Sequence, residues 1–231
     1  MRLIFVRHGE PDYINDCLTE NGIIQAECTA ERLRDEPITA VFSSPMGRAF
    51  KTASFTADKH GLIVQKLDFM HEIDWGDAYD GAGLPNDGHP GTLANMLYNE
   101  CPSSAGGESW REHRYFGDNR CLGYYETISR RFDEFLAGFG LIRENAVYRC
   151  ERECGDTVAL FAHGGSGAVM FSHVLNLPFP YVLAAMPYGV CSVSVIEFCR
   201  GAGKTVVPRL ELFNDMRHLE SVKPEKLVFE K

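Results

Sequence analysis

Arg7 and His8 stand side by side directly after four apolar residues, Leu3–Val6. An imidazole is a nucleophile or proton carrier near neutral pH, and a guanidinium offers a planar fork of donors that matches phosphate oxygens. Taken alone, Arg7 could equally cap a strand and His8 occupy a surface turn. Groups of the same kind recur at Arg48 and His163, and Glu72 adds a carboxylate. Two arginines, two histidines and one carboxylate are the parts needed for phosphoryl transfer through a histidine: a nucleophile, fixed cations around the phosphoryl oxygens, and a group that moves a proton.

These residues converge only if particular elements position them. Leu3–Val6 reads as a strand buried on both faces, and Arg7–Glu10 lie where it meets solvent. Thr39–Ser43 reads as a second buried strand, leading through Pro45, in the first turn of a helix, to Arg48 near that helix's positive end. Asp156–Ala162 reads as a further buried strand running into His163. Leu62–Leu67 and Cys191–Phe198 have strand character, as does Thr205–Phe213. Helical periodicity runs from Thr19 as N-cap to Leu33, from Ala49 to His60, and from Tyr124 to Gly140, and a helix follows His163. Pro178–Pro187 reads as a proline-interrupted loop. Strands alternating with helices predict a three-layer α/β/α sandwich around a mostly parallel sheet, in which ligands meet the carboxyl edge. Residues 80–120 are irregular, with short helical pieces near Thr92–Asn99 and Glu108–Phe116, and read as a cap inserted into a single domain spanning 1–231.

The composition suits this architecture. The chain has 231 residues, 45% hydrophobic and 24% charged, enough for a substantial core. Its net charge of −9, without basic runs, argues against nucleic acid as a partner. No apolar run is long enough to span a membrane and no secretory signal is apparent, so a cytoplasmic location and no membrane partner are expected. The eight scattered cysteines are expected to be free thiols, and Cys150 and Cys154 lack the second pair that a zinc site needs.

In order along the chain stand Arg7-His8-Gly9-Glu10; Leu18-Thr19-Glu20-Asn21-Gly22 with Gln25-Ala26; Ser43-Ser44-Pro45 with Arg48, Ala49, Thr52 and Ala53; Glu72 with Gly76 and Gly81; Ala162-His163-Gly164-Gly165; and Asn214-Asp215 with His218-Leu219. This set resembles the histidine phosphatase superfamily, which includes the cofactor-dependent phosphoglycerate mutases. The resemblance implies that His8 attacks phosphorus and becomes a phosphohistidine. Arg7, Arg48 and His163 surround the phosphoryl group, and Glu72 protonates the leaving alkoxide and then activates water. His8 must be neutral to attack, which flanking arginines favour, and its other ring nitrogen should be held by a backbone carbonyl. The Gly164 and Gly165 amides would add donors at a helix N-terminus. The family often has an asparagine six residues after the nucleophile; that position is Ile14 here, and Asn15, one further on, joins the phosphate set as the nearest match. Asn214 and His218 read as structural. No metal or cofactor is expected, because the arginines supply the charge.

The resemblance implies a phosphatase acting on a small phosphomonoester. The Arg- and Pro-rich segment that follows the acid in the mutase branch is absent, and Asp77, Asp80 and Asp87 stand there instead. Mutase-type transfer is the alternative, and a non-catalytic phospholigand-binding member of the fold is a third reading. Trp75, Tyr79, His89, Trp110, Arg111, His113, Arg114 and Tyr115 are candidate cap residues, each as suited to packing as to touching substrate.

Overall fold

The computed structural model describes residues 1–74, 90–117, 119–198 and 201–220. Among these, no helix is long and apolar enough to cross a membrane. The chain divides into two compact units, residues 1–72, 133–167 and 188–231 in the first, and 73–132 with 168–187 in the second. Residues 90–117, the described part of the insertion expected at 80–120, fall in the second unit together with residues 168–187.

In chain order the elements are β1 (Arg2–Arg7), β2 (Pro11–Asp12), β3 (Cys17–Leu18), α1 (Glu20–Arg32), β4 (Ala40–Ser43), α2 (Gly47–His60), β5 (Val64–Lys66), α3 (Pro90–Glu100), α4 (Pro102–Ala105), α5 (Cys121–Gly138), β6 (Leu141–Glu144), β7 (Val147–Cys150), β8 (Thr157–Ala162), α6 (Gly164–Leu175), α7 (Phe179–Ala185), β9 (Val193–Glu197), β10 (Thr205–Val206) and β11 (Arg209–Asp215). The central sheet has the order β11-β9-β1-β8-β4-β5. Strands β1, β8, β4 and β5 run parallel, and β9 is antiparallel to both β1 and β11. The fold is therefore α/β with a mostly parallel sheet.

One face of the sheet presents Ile4, Val6, Val41, Ala159, Phe161, Val193 and Val195 to Leu33, Ala53 and Ala57 of the α1–α2 layer. Alanines on α2 let that helix approach the strands closely. Each fully buried Ile or Val contributes roughly 1.5–3 kcal/mol. Neighbouring residues on a strand point to opposite faces, so Phe42 turns to the other side, where Phe135 of α5 and Phe139 stack on it edge-on at 5.0 and 6.4 Å. Helices thus cover both faces within the first unit.

The boundaries differ from the sequence expectation in instructive ways. Helix α2 starts at Gly47, so Pro45 precedes the N-cap residue Met46 instead of entering the first turn. The segment Phe179–Ala185 is a helix, with Pro178 as its N-cap and Pro180 in its first turn, where a missing N–H costs nothing. Thr205–Phe213 is two strands in different sheets, β10 pairing with β7 and β11 with β9. In the second unit, Trp110, Phe116, Tyr125 and Phe179 form a buried ring cluster, with Trp110 lying 5.1–5.7 Å from the other three. Tyr115 is buried and donates its hydroxyl to Glu100 at 2.6 Å, and Arg114 lies against the same carboxylate. Arg111 stacks over Trp110 and Tyr125. Trp110 and Tyr115 are therefore core residues of that unit. Trp75, Tyr79 and His89 lie outside the described residues, as do Gly76 and Gly81. The seven described cysteines are free thiols, and Cys199 lies outside the described residues.

Candidate active site

The carboxyl ends of β1, β8 and β4 bring the chemistry together. In-register pairing of Arg7 with Ala162, and of Ser43 with Phe161, puts Arg7-His8, His163 and Ser44 at one edge of three adjacent strands. The backbone around His8 is fully tied down. Its amide donates to Ala162, and the Cys191 amide lies 2.9 and 3.2 Å from the Arg7 and His8 carbonyls. Beyond it, the Gly9 amide donates to Thr52 Oγ1 at 3.0 Å, and the Thr52 hydroxyl donates to the Arg48 carbonyl at 2.8 Å. A Cβ on Gly9 would lie 2.7 Å from the Gly22 carbonyl oxygen, so only glycine lets the loop fold onto the start of α1.

His8 is buried, with 1% of its surface exposed. Its Nδ1 lies 2.7 Å from the Gly9 carbonyl. A carbonyl can only accept, so Nδ1 carries the proton and Nε2 is the basic nitrogen. Arg48 Nε approaches that Nε2 at 3.4 Å. Burial pushes the His8 pKa down to about 3, with Arg7 and then Arg48 adding to the effect against the opposing Gly9 carbonyl. The neutral imidazole, the form able to attack, is thus the state at neutral pH.

Arg48, 4% exposed, sits in the first turn of α2 with its guanidinium committed on three sides. Nε faces His8, Nη1 donates to Asp16 Oδ1 at 2.6 Å, and the Tyr13 ring lies 5.4 Å from its centre. Asp16 also accepts the Gly47 amide at 2.6 Å, capping a helix whose own N-cap, Met46, provides no side-chain bond. No sequence signal singled out Asp16; it acts across a long loop, from a left-handed backbone position with φ of 48°. Asn15 does not join this cluster. It is exposed and its amide donates to Asp12 Oδ2 at 2.7 Å, because Asp12 gathers the amides of Ile14 and Asn15 into a tight turn.

Arg7 Nη1 donates to the Tyr188 carbonyl at 3.0 Å, and its Nε is buried with no partner among the described residues. Gly164 packs beneath this guanidinium, where a Cβ would lie 3.5 Å from Arg7 Cζ. His163 is fully buried, its ring 5.0 Å from that of His8. Burial, His8 and the two arginines push its pKa down to about 2. Its Nε2 lies 2.7 Å from Ser44 Oγ, which already accepts the Met46 amide. The hydroxyl has a second lone pair, so it can accept from Nε2–H or donate to Nε2; donation to Nε2 places the ring proton on Nδ1. Nδ1 is buried with no partner among the described residues. Arg7 Nε–H and His163 Nδ1 are thus two buried, unpartnered nitrogens next to a basic imidazole nitrogen, and with Nδ1 protonated the pair suits an anion.

Glu72 Oε1 accepts the amides of Gly165 and Ser166 at 2.9 and 3.1 Å, at the N-terminus of α6. The Gly165 amide, expected among the donors at this helix end, donates to Glu72 here. Ser166 ties the same segment down by donating to the Met70 carbonyl. The C-terminal pair plays a supporting part. Asn214 Oδ1 accepts the Gly189 amide, and His218 Nε2 lies 3.1 Å from both Thr29 Oγ1 and the Cys191 carbonyl, bracing the turn behind Arg7 and His8. Glu10, beside the nucleophile, is likewise a structural residue: its carboxylate accepts from Thr19 and Asn21, both at 2.7 Å.

Comparison with known proteins identifies the family. The profile of the histidine phosphatase superfamily (branch 1) matches residues 3–134. A curated Yersinia pestis protein named "Probable phosphoglycerate mutase GpmB" is 34% identical over 230 residues, covering 95% of both chains. Among solved structures, a phosphoserine phosphatase from Entamoeba histolytica superposes with a TM-score of 0.62 at 21% identity, covering 94% of this chain and 98% of its own. A mycobacterial glucosyl-3-phosphoglycerate phosphatase gives 0.64 at 22%, covering 93% and 99%. The chain belongs to the histidine phosphatase superfamily.

Proposed function

We propose that this protein hydrolyses small phosphomonoesters through a phosphohistidine on His8. The observation that carries the reading is the buried, neutral His8, whose Nδ1 is tied to Gly9 beside the unpartnered Arg7 Nε–H and His163 Nδ1. In the first step the Nε2 lone pair forms an N–P bond as the P–O ester bond breaks, and Glu72 delivers a proton to the departing alkoxide. In the second, water attacks phosphorus, its proton passes to Glu72, and the N–P bond electrons return to Nε2. Arg7, Arg48 and His163 Nδ1–H stabilise charge on the phosphoryl oxygens as fixed donors, which need no reorganisation during the reaction. The Nδ1 bond to Gly9 keeps the same tautomer available for each cycle.

The experiment is turnover of p-nitrophenyl phosphate with acid-quench detection of protein-bound, acid-labile phosphate. Wild type releases phosphate and carries the label; His8→Ala loses both, with activity down by about 10³-fold or more. Full activity in His8→Ala refutes the mechanism. A second reading, mutase-type transfer, is favoured by the name of the 34% identical relative. It predicts interconversion of phosphoglycerates faster than release of phosphate, and both products are read in one assay.

A further inference from the structure

We propose that Asp16 makes the β2–β3 hairpin a charge filter, so that the site takes phosphomonoesters whose alcohol part carries no second anionic group. The inference rests on the phosphomonoesterase reading above and narrows its substrate class. Two guanidiniums, Arg7 and Arg48, face a phosphate that brings up to two negative charges. Asp16 takes Nη1 of one of them and, 41% exposed at its side chain, holds its negative charge beside Arg48 within reach of solvent. The hairpin from Pro11 to Leu18 contains two carboxylates, Asp12 and Asp16, and no cation. Apart from Asn15, whose amide is turned to Asp12, the tip presents Tyr13, 60% exposed and lying over the Arg48 guanidinium, and Ile14, 94% exposed.

A carboxylate or second phosphate next to the scissile ester would therefore meet Asp16 where a cation would be needed to hold it. An uncharged hydroxylated or aromatic alcohol part would meet Tyr13 and Ile14 with no such repulsion. Asp16 reaches the reaction through Arg48 and through space, so it is a specificity-determining and positioning residue. One unit charge several ångströms from a second anion in this half-exposed setting amounts to about tenfold in selectivity.

Glycerol 3-phosphate and 3-phosphoglycerate share a carbon skeleton and differ in a hydroxymethyl against a carboxylate. The test is the ratio of their kcat/KM values in wild type, Asp16→Asn and Asp16→Ala. Wild type is expected to favour glycerol 3-phosphate by tenfold or more, and both variants to shrink that ratio by about tenfold. Loss of Arg48 positioning lowers both rates together, whereas loss of the filter moves the ratio. A wild-type preference for 3-phosphoglycerate, or a ratio shifted by less than twofold in the variants, overturns the inference. If neither variant folds, the wild-type ratio is measured from low to high salt, where screening must narrow it and an unchanged ratio overturns the inference. Absence of turnover with either ester and with p-nitrophenyl phosphate would instead overturn the phosphomonoesterase reading.

Discussion

Acidification should destabilise this protein through the two site histidines. His8 and His163 have pKa values of about 3 and about 2 in the fold, against 6.5 in an unstructured chain. Between pH 6.5 and the folded values, the unfolded chain binds protons on these residues and the native state does not. Stability then rises with pH, and falls as pH drops through this window. From pH 7 to pH 5 each histidine costs roughly 2 kcal/mol, being 1.5 pH units below 6.5 at 1.36 kcal/mol per unit, so together they cost about 4 kcal/mol. Domains commonly have only 5–15 kcal/mol in total. Urea unfolding at pH 7 and pH 5 measures the loss. His8→Asn, which cannot take up the proton, should lose about 2 kcal/mol less than wild type over the same interval. Equal losses in the two proteins would refute the claim that His8 is held neutral by burial and by Arg7. The functional counterpart is that His8 stays in its attacking form across this range, so an acid limb in kcat/KM near pH 6 has to come from another group.

Two further substitutions probe the frame. Gly47→Ala puts a Cβ 2.3 Å from the Asp16 carbonyl oxygen, which forces the hairpin off α2. Urea unfolding should show a loss of about 1–3 kcal/mol, accompanied by a lower kcat/KM; unchanged stability and activity would show that Asp16 does not hold this position. Glu72→Gln keeps an oxygen to accept the Gly165 and Ser166 amides but has no proton to give. It should lower kcat most for alkyl esters and least for p-nitrophenyl phosphate, and an equal loss for both would argue against an acid role.

The parts of the site that were legible in the sequence are those fixed by strand ends. Leu3–Val6, Thr39–Ser43 and Asp156–Ala162 are short apolar runs with no competing interpretation, and parallel pairing carries Arg7, His8, Ser44 and His163 to one edge. What stayed hidden depends on loops, where the direction of a side chain is set by dihedrals that composition does not encode. Asn15 and Asp16 are adjacent polar residues of similar size. Only the turn nucleated by Asp12, and the left-handed conformation at Asp16, direct the first to Asp12 and the second to Arg48. The β6–β7 hairpin was equally silent: its turn uses Asn145 at φ of 57° without the glycine that usually marks such a reversal. Around α7 the prolines at 178 and 180 read as breaks from the sequence, although both stand where a helix accepts them.

Much of the motif set serves as scaffold. Glycine at 22 is required because a Cβ there would lie 2.2 Å from the Glu10 carbonyl oxygen, just as Gly9 must make room for the Gly22 carbonyl. The loop after the nucleophile and the start of α1 are thereby pressed backbone to backbone. Thr19 caps α1 by accepting the Gly22 amide, while its hydroxyl and the Asn21 amide hold Glu10. Thr52 then couples Gly9 to the Arg48 backbone. Arg7-His8-Gly9-Glu10, Leu18–Gly22 and the start of α2 therefore form one rigid bracket, and its effect falls on His8. The Gly9 carbonyl that selects the Nδ1–H tautomer is positioned by the same glycine whose amide is fixed by Thr52. A change at Gly22 or Thr52, which touch no phosphoryl oxygen in the proposed mechanism, should consequently act on the nucleophile's orientation, lowering kcat while leaving KM for the phosphoryl group much less affected.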